Sequence, residues 1–228
     1  MPDLKTLEKK INIKFNNQDL LQQSLVHRSY LNENPKFDLE DNERLEFLGD
    51  AVLELSVTDY LYRNYPNPEG DLTNWRAALV NAKMLAKIAH QIGLNKYLLL
   101  SRGEANDTGR ARQYILANAM EAVIGAIYLD QGYEISSQFI EKEILKELSD
   151  IIKEKLYQDP KSSFQEESQE RVSLTPTYRV LEESGPDHAK DFIIGVYLGK
   201  EEIAQGKGAS KQEAQEHAAE EALKKKGW

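Results

Sequence analysis

The chain contains no cysteine among its 228 residues, which excludes disulfides and every thiolate-held metal site. It contains no apolar run near the roughly 20 residues a membrane-spanning helix needs. Residues 1–10, MPDLKTLEKK, lack the apolar segment of a secretory signal. Together these absences predict a cytoplasmic protein with no membrane partner. Histidine is sparse: His27, His90, His188 and His217 are scattered, and none follows a glutamate at the Glu-x-x-His spacing of di-metal carboxylate oxidoreductases. Basic charge is also short, with 29 Lys+Arg against 38 Asp+Glu and a net charge of −9. That balance counsels against a nucleic-acid partner, unless the acids are gathered around a metal and the bases are placed locally.

What is present reads as an ordinary globular chain, 40% hydrophobic and 29% charged, long enough for one large or two modest domains. Residues 1–157 carry helical periodicity. A helix is predicted from about Glu40 to Tyr65, where Pro66 and Pro68 stop it. Others begin near Asp71, cover Ala82 to Ile92 before Gly93, and cover Gln113 to Leu129; a long charged helix runs from Gly132 to about Leu156. Segment 101–112 reads as a polar loop, and 158–163, QDPKSS, as a linker. Beyond it a short helix at 163–168 is followed by strands at 176–183, 191–198 and 200–206 and by a helix at 210–225. The predicted fold class is a mainly α N-terminal domain plus a small α+β module of order α-β-β-β-α over residues 164–228.

Residues 42–52, Asn-Glu-Arg-Leu-Glu-Phe-Leu-Gly-Asp-Ala-Val, hold the most informative pattern. Glu43, Glu46 and Asp50 fall at i, i+3 and i+7, one face of a helix, beside an apolar stripe of Leu45, Leu48, Val52 and Leu55. Two readings fit that spacing: a solvated acidic face, or carboxylates gathered around a divalent cation. A second helix places Asn118 and Glu121 at i, i+3 within Ile-Leu-Ala-Asn-Ala-Met-Glu-Ala, residues 115–122.

The contiguous string at 42–52, supported by 115–122, resembles the signature of ribonuclease III, the double-stranded-RNA endonuclease. The resemblance implies a homodimer that uses Mg²⁺, with Mn²⁺ as an alternative, to hydrolyse both strands of duplex RNA. It implies 5′-phosphate and 3′-hydroxyl ends with short 3′ overhangs, and roles in ribosomal RNA processing and message turnover. By the same resemblance Glu46, Asp50, Asn118 and Glu121 are the metal-site residues, with Asp50 and Glu121 catalytic. Glu43 and Glu69 are supporting acids, and Phe47 inserts into the partner subunit. By residue type alone Phe47 and Leu48 equally suit an ordinary core. Arg76 and the loop residues Arg102, Arg110 and Arg112 are candidate phosphate contacts, although each taken singly better suits a solvated loop.

Position 118 departs from the pattern, because the family usually carries aspartate there. Asparagine keeps the shape and one carbonyl oxygen but loses a charge and gains two donors. Three consequences stand open: ligation through that oxygen, a higher metal requirement, or a weakened or non-catalytic duplex-RNA binder.

The C-terminal module resembles a double-stranded-RNA-binding domain through Gln165-Glu166, Gly185-Pro186-Asp187-His188 and Gly206-x-Gly208-x-Ser210-Lys211. The resemblance assigns RNA contacts to Gln165, Glu166, His188, Lys207, Ser210 and Lys211. Short polar groups suit the shallow minor groove of A-form RNA, and a helix N-terminus after a glycine-rich turn suits a phosphate. The module carries ten Lys+Arg against thirteen Asp+Glu from residue 160 onward, so weak, salt-sensitive binding is expected.

Overall fold

Two compact units, Met1–Tyr157 and Gln158–Trp228, make up this computed structural model, which describes residues 3–106, 108–155, 157, 159–185 and 190–228. The first is helical. Its elements are α1 (Leu4–Ile11), α2 (Gln18–Gln23), α3 (Arg28–Glu33), α4 (Glu43–Asn64), α5 (Glu69–Val80), α6 (Ala82–Ile92), α7 (Arg102–Asn106), α8 (Arg110–Glu143) and α9 (Leu148–Lys153). The second unit runs α10 (Pro160–Val172), β1 (Pro176–Ser184), β2 (Asp191–Leu198), β3 (Glu201–Gly208) and α11 (Lys211–Lys226). The fold class expected from the sequence is the one observed.

The centre of the first unit is the packing of α4 against α8. Leu45, Val52, Leu53, Val57 and Leu61 of α4 are buried there, as are Leu116, Met120, Val123, Ile124 and Ile127 of α8. Leu55, expected on the core stripe, is instead 58% exposed. The core face of α4 continues through Gly49, Leu53 and Ser56, turned away from the Leu48–Leu55 line. Phe47 is also outside the core, at 82% exposure, so its ordinary-core reading fails.

Some boundaries differ from the sequence expectation for local reasons. Segment 101–112 is not all loop, because the Ser101 hydroxyl accepts the Glu104 amide and starts the five-residue α7. The helix at 113 begins earlier, at Arg110. Gly132, at φ 81°, kinks α8, and its second half ends at Glu143. A 3₁₀ turn at Leu145–Glu147 and then α9 follow where one helix to Leu156 was expected; Leu156 itself lies outside the described residues. Helix α10 starts inside the expected linker because Asp159 accepts the Lys161 and Ser162 amides and Pro160 suits the first helical turn.

The second unit is an antiparallel sheet ordered β1-β2-β3. Its core joins Phe164 of α10, Val196, Leu198 and Ile203 of the sheet, and Ala218, Ala219 and Ala222 of α11. Gly206 and Gly208 do not form a turn before α11; both lie in β3. A Cβ on Gly206 would stand 2.2 Å from the Ala218 nitrogen, and one on Gly208 2.6 Å from the Ala214 nitrogen. These glycines and the alanine stripe let α11 lie directly on the strand.

Candidate metal centre and nucleic-acid interface

The acids converge because two glycines let two helices touch. A Cβ on Gly49 would fall 1.8 Å from the Glu121 carbonyl oxygen, and one on Gly125 2.2 Å from the Leu45 carbonyl oxygen. Neither position tolerates a side chain, so α4 and α8 cross backbone to backbone. Glu46 and Asp50 flank this contact on α4; Asn118 and Glu121 flank it on α8. The sequence reading missed both glycines as functional. Their signal was present, since glycine in a helix interior costs about 1 kcal/mol relative to alanine and implies a packing reason.

The start of α4 is fixed separately. Asn42 is buried, and its backbone N–H donates to the Val26 carbonyl at 2.9 Å. Its carboxamide donates to Ser24 O at 3.3 Å, and its own carbonyl accepts the Glu46 amide at 2.8 Å. Val26 in turn bridges Leu99, so the first turn of α4 is tied to two loops. Glu43 and Glu46 in that turn also complement the positive end of the helix dipole.

Electrostatics shows that the acids sense one another. Burial, and then the charges of Asp50 and Glu46, push the Glu121 carboxyl up to about 7. Burial and the neighbouring Glu43 raise Glu46, while a hydrogen bond from Asn118 partly offsets the rise. Asn118 therefore belongs to the cluster, where its amide favours the charged form of Glu46. Among the described residues no three acids are drawn together tightly enough to enclose an ion, as expected for carboxylates that repel one another. The donor set nevertheless suits a hard divalent cation: three carboxylates and an amide oxygen, with no histidine or thiolate.

The remaining predicted residues are placed as follows. Glu43 pairs with Arg28 at 3.3 Å. Glu69 opens α5, accepts the Thr73 hydroxyl at 2.9 Å and lines a different depression with Tyr62, Arg63 and Arg76. It is not among the charges acting on Glu46 or Glu121. Arg76 is engaged by Glu54 at 3.2 Å and by Thr58. Arg112 donates to the Glu104 carbonyl, the Arg102 amide donates to Glu33, and Arg110 lies over the Tyr114 ring. Phe47 borders a depression of about 610 Å³ that Leu20, Leu45, Leu48 and Leu129 also line.

In the second unit Gln165 and Glu166 are exposed on α10. Ser210 caps α11 by accepting the Glu213 amide, and the Glu213 carboxylate accepts the Ala209 amide. Lys211 stands over Phe192, and Lys207 is paired with Asp191 at 2.8 Å. His188 lies outside the described residues.

Residues 17–148 match the Ribonuclease-III-like family model, and residues 160–226 match the double-stranded RNA binding motif. The chain belongs to the ribonuclease III family. Ribonuclease 3 of a Nitratiruptor species is 43% identical over 225 residues, 98% of this chain and 97% of that protein. Ribonuclease 3 of Borreliella afzelii is 45% identical over 216 residues, 94% of this chain and 87% of that protein. The nuclease domain of ribonuclease III from Campylobacter jejuni superposes with a TM-score of 0.55 at 41% identity, covering 62% of this chain and 98% of that one. In that protein a region is described as involved in dimer formation. The chain is thus an enzyme of the ribonuclease III class, a double-stranded-RNA endonuclease with its own duplex-binding module.

Proposed function

We propose that this ribonuclease III is a Mg²⁺-dependent homodimer that cuts both strands of duplex RNA, with each active centre built from Glu46, Asp50, Asn118 and Glu121. One observation carries the reading: α4 and α8 meet backbone to backbone at Gly49 and Gly125, beside which burial first, and then the charges of Asp50 and Glu46, push Glu121 up to about 7. Such mutual repulsion is relieved by a cation. Members of the family are generally metal-dependent. A bound Mg²⁺ would supply activation of a water and neutralisation of charge on the phosphate, chemistry that needs no side-chain nucleophile.

The chain's own residues do the rest. Glu46, Asp50 and Glu121 supply anionic oxygens. Asn118 favours the charged form of Glu46 through its amide and keeps its carbonyl oxygen as a fourth ligand atom. Asn118 is in this reading a working ligand rather than the mark of an inactive scaffold. Glu43 and Glu69 act from outside the centre.

Hydrolysis is ascribed to residues 1–157 and duplex recognition to 164–228, with products carrying 5′-phosphates, 3′-hydroxyls and short 3′ overhangs. Ribosomal RNA maturation and message turnover are the roles this activity suits, in the cytoplasm. The homodimer is supported by Phe47, exposed beside an apolar depression on the same face of the helical unit. A knob and a socket on one surface suit a two-fold, self-complementary interface.

The deciding experiment is cleavage of a long labelled duplex RNA with Mg²⁺ by the full chain, beside Glu121→Gln and Asn118→Asp. Cutting by the unaltered chain and none by Glu121→Gln is expected. Binding with cleavage only after Asn118→Asp would sink the assignment of Asn118.

A further inference from the structure

A depression of about 300 Å³ in the helical unit is lined by Lys10, Gln91, Ile92, Glu143 and Lys146. It brings two ammonium groups together in a chain of net charge −9. Neither lysine is among the charges acting on Glu46 or Glu121, so the acidic centre does not explain them. Lys10 reaches from the last turn of α1 to the end of α6. Its ammonium donates to the Ile92 carbonyl at 3.4 Å and stands 5.4 Å from the Tyr97 ring centroid. Gly93 makes room for it, since a Cβ there would fall 2.9 Å from the Lys10 nitrogen.

The carboxylate in the same depression has more cation than it needs. Glu143, the last residue of α8, is buried; its Oε1 meets Lys142 Nζ at 2.9 Å and its Oε2 meets Lys146 Nζ at 3.2 Å. Burial lifts the Glu143 carboxyl, but the two lysines outweigh it and hold the group below its ordinary value, so it stays charged. One ammonium would neutralise it, and the second is surplus. Lys10 is a further surplus charge, because the partners of its ammonium among the described residues are neutral. A carbonyl and a ring face attract that ammonium without cancelling its charge. Each ammonium has three donors, of which Lys146 spends one on Glu143 and Lys10 one on Ile92. The exposed Gln91 carboxamide adds two more donors.

We propose that this depression binds a phosphate oxyanion, held by Lys10 and Lys146 with the Gln91 carboxamide as a further donor. Charge selects an anion, since two ammonium groups face one carboxylate whose oxygens are already engaged. Lysines act as point charges and suit the compact, multiply charged phosphate; no arginine fork, the usual partner of a planar carboxylate, lines the depression. The phosphate arrives as a free ion or nucleotide, or on the backbone of an RNA, and the chemistry of recognition is the same. The site stands apart from the acidic centre and does not rest on the nuclease reading.

The test follows the backbone amide signals of Gln91, Ile92 and Lys146 by nuclear magnetic resonance in the full, metal-free chain. Inorganic phosphate replaces chloride at constant ionic strength. The three signals are expected to move together and to saturate in the millimolar range. Lys10→Gln and Lys146→Gln should each weaken binding about two- to five-fold, the loss of one exposed charge contact, and the double variant on the order of ten-fold. Glutamine at 10 keeps a donor for Ile92, and Lys142 remains on Glu143, so both variants keep the fold. Lys9→Gln removes the same charge from α1 outside the depression and should bind phosphate as the parent does. Signals that stay still, or a double variant that binds as the parent does, overturn the proposal. So does a Lys9→Gln loss equal to that of Lys10→Gln, the mark of a diffuse field. Duplex-RNA binding by the double variant over a salt series then identifies the source of the phosphate. A log–log slope flatter by about one to two units assigns the site to backbone phosphates, and a parental slope assigns it to free phosphate.

Discussion

The carbonyl oxygen of Glu121 occupies the space where a side chain on Gly49 would begin, 1.8 Å from the ideal Cβ position. Asp50 is the next residue along α4, so the closeness of these helices and the closeness of the acids are one property. Alanine at Gly49 must push α8 away or distort α4. Gly49→Ala is expected to destabilise the fold by at least the roughly 1–3 kcal/mol typical of overpacking and to abolish cleavage. Urea unfolding and duplex cleavage measure the two effects, and Gly125→Ala should behave alike.

Glu121 gives the metal-free protein a pH dependence with a definite sign. Its carboxyl is raised from 4.5 to about 7 in the folded chain, so between these values the folded state holds a proton that the unfolded state has lost. Stability contributed at this site therefore falls as pH rises from about 4.5 to about 7 and is level above that. Thermal melts at pH 5 and pH 8 should differ by a few degrees from this site. Glu121→Gln, or saturating Mg²⁺ in the parent, should remove that part of the difference.

Much of this was legible in the sequence because the relevant signals were local. Gly93 ends α6, Pro68 precedes α5, and β2 spans Asp191–Leu198 as its alternation predicts. Polar residues at helical spacing placed Glu46 with Asp50, and Asn118 with Glu121, on two helix faces. The sequence did not show that Leu55 and Phe47 point outward, since apolar spacing is the same for a core and an interface. Nor could it show that Gly206 and Gly208 serve packing, because a strand glycine beneath a helix and a turn glycine look alike in one dimension. The separation of Glu69 from the acids of α4 is a tertiary fact with no local signature.

Asn118 sets the metal requirement. Replacing it with aspartate adds a fourth negative charge to the set and removes an amide that favours the charged form of Glu46. Asn118→Asp is expected to lower the Mg²⁺ concentration for half-maximal cleavage on the order of ten-fold. It should also destabilise the metal-free protein, through added repulsion. Metal titrations of the cleavage rate and melts in a chelator report the two. An unchanged Mg²⁺ requirement would place Asn118 outside the ligand set.

Phe47 is expected to hold the dimer. An aromatic side chain 82% exposed next to a depression lined by Leu20, Leu48 and Leu129 loses apolar contact with water only when another molecule covers it. Phe47→Asp puts a charge at the centre of such an interface. Light scattering should then give half the parental mass with circular dichroism unchanged; a parental mass would remove this residue from the interface.

The duplex-binding module is limited by its own acids. Lys207, a cation beside the start of α11, is paired with Asp191 at 2.8 Å, and both side chains are largely exposed. An exposed pair of this kind contributes little to folding, so Asp191→Asn should leave stability within about 0.5 kcal/mol of the parent. Its effect on RNA should be larger, because the variant frees the Lys207 ammonium and removes a charge that repels phosphate. Duplex affinity is expected to rise about two- to five-fold, with a steeper dependence on salt. Single-stranded RNA of the same length should gain less, since the module reads the A-form duplex. Filter binding of both RNAs across a salt series decides this, and equal gains for the two would show that Lys207 adds charge without contributing to duplex recognition.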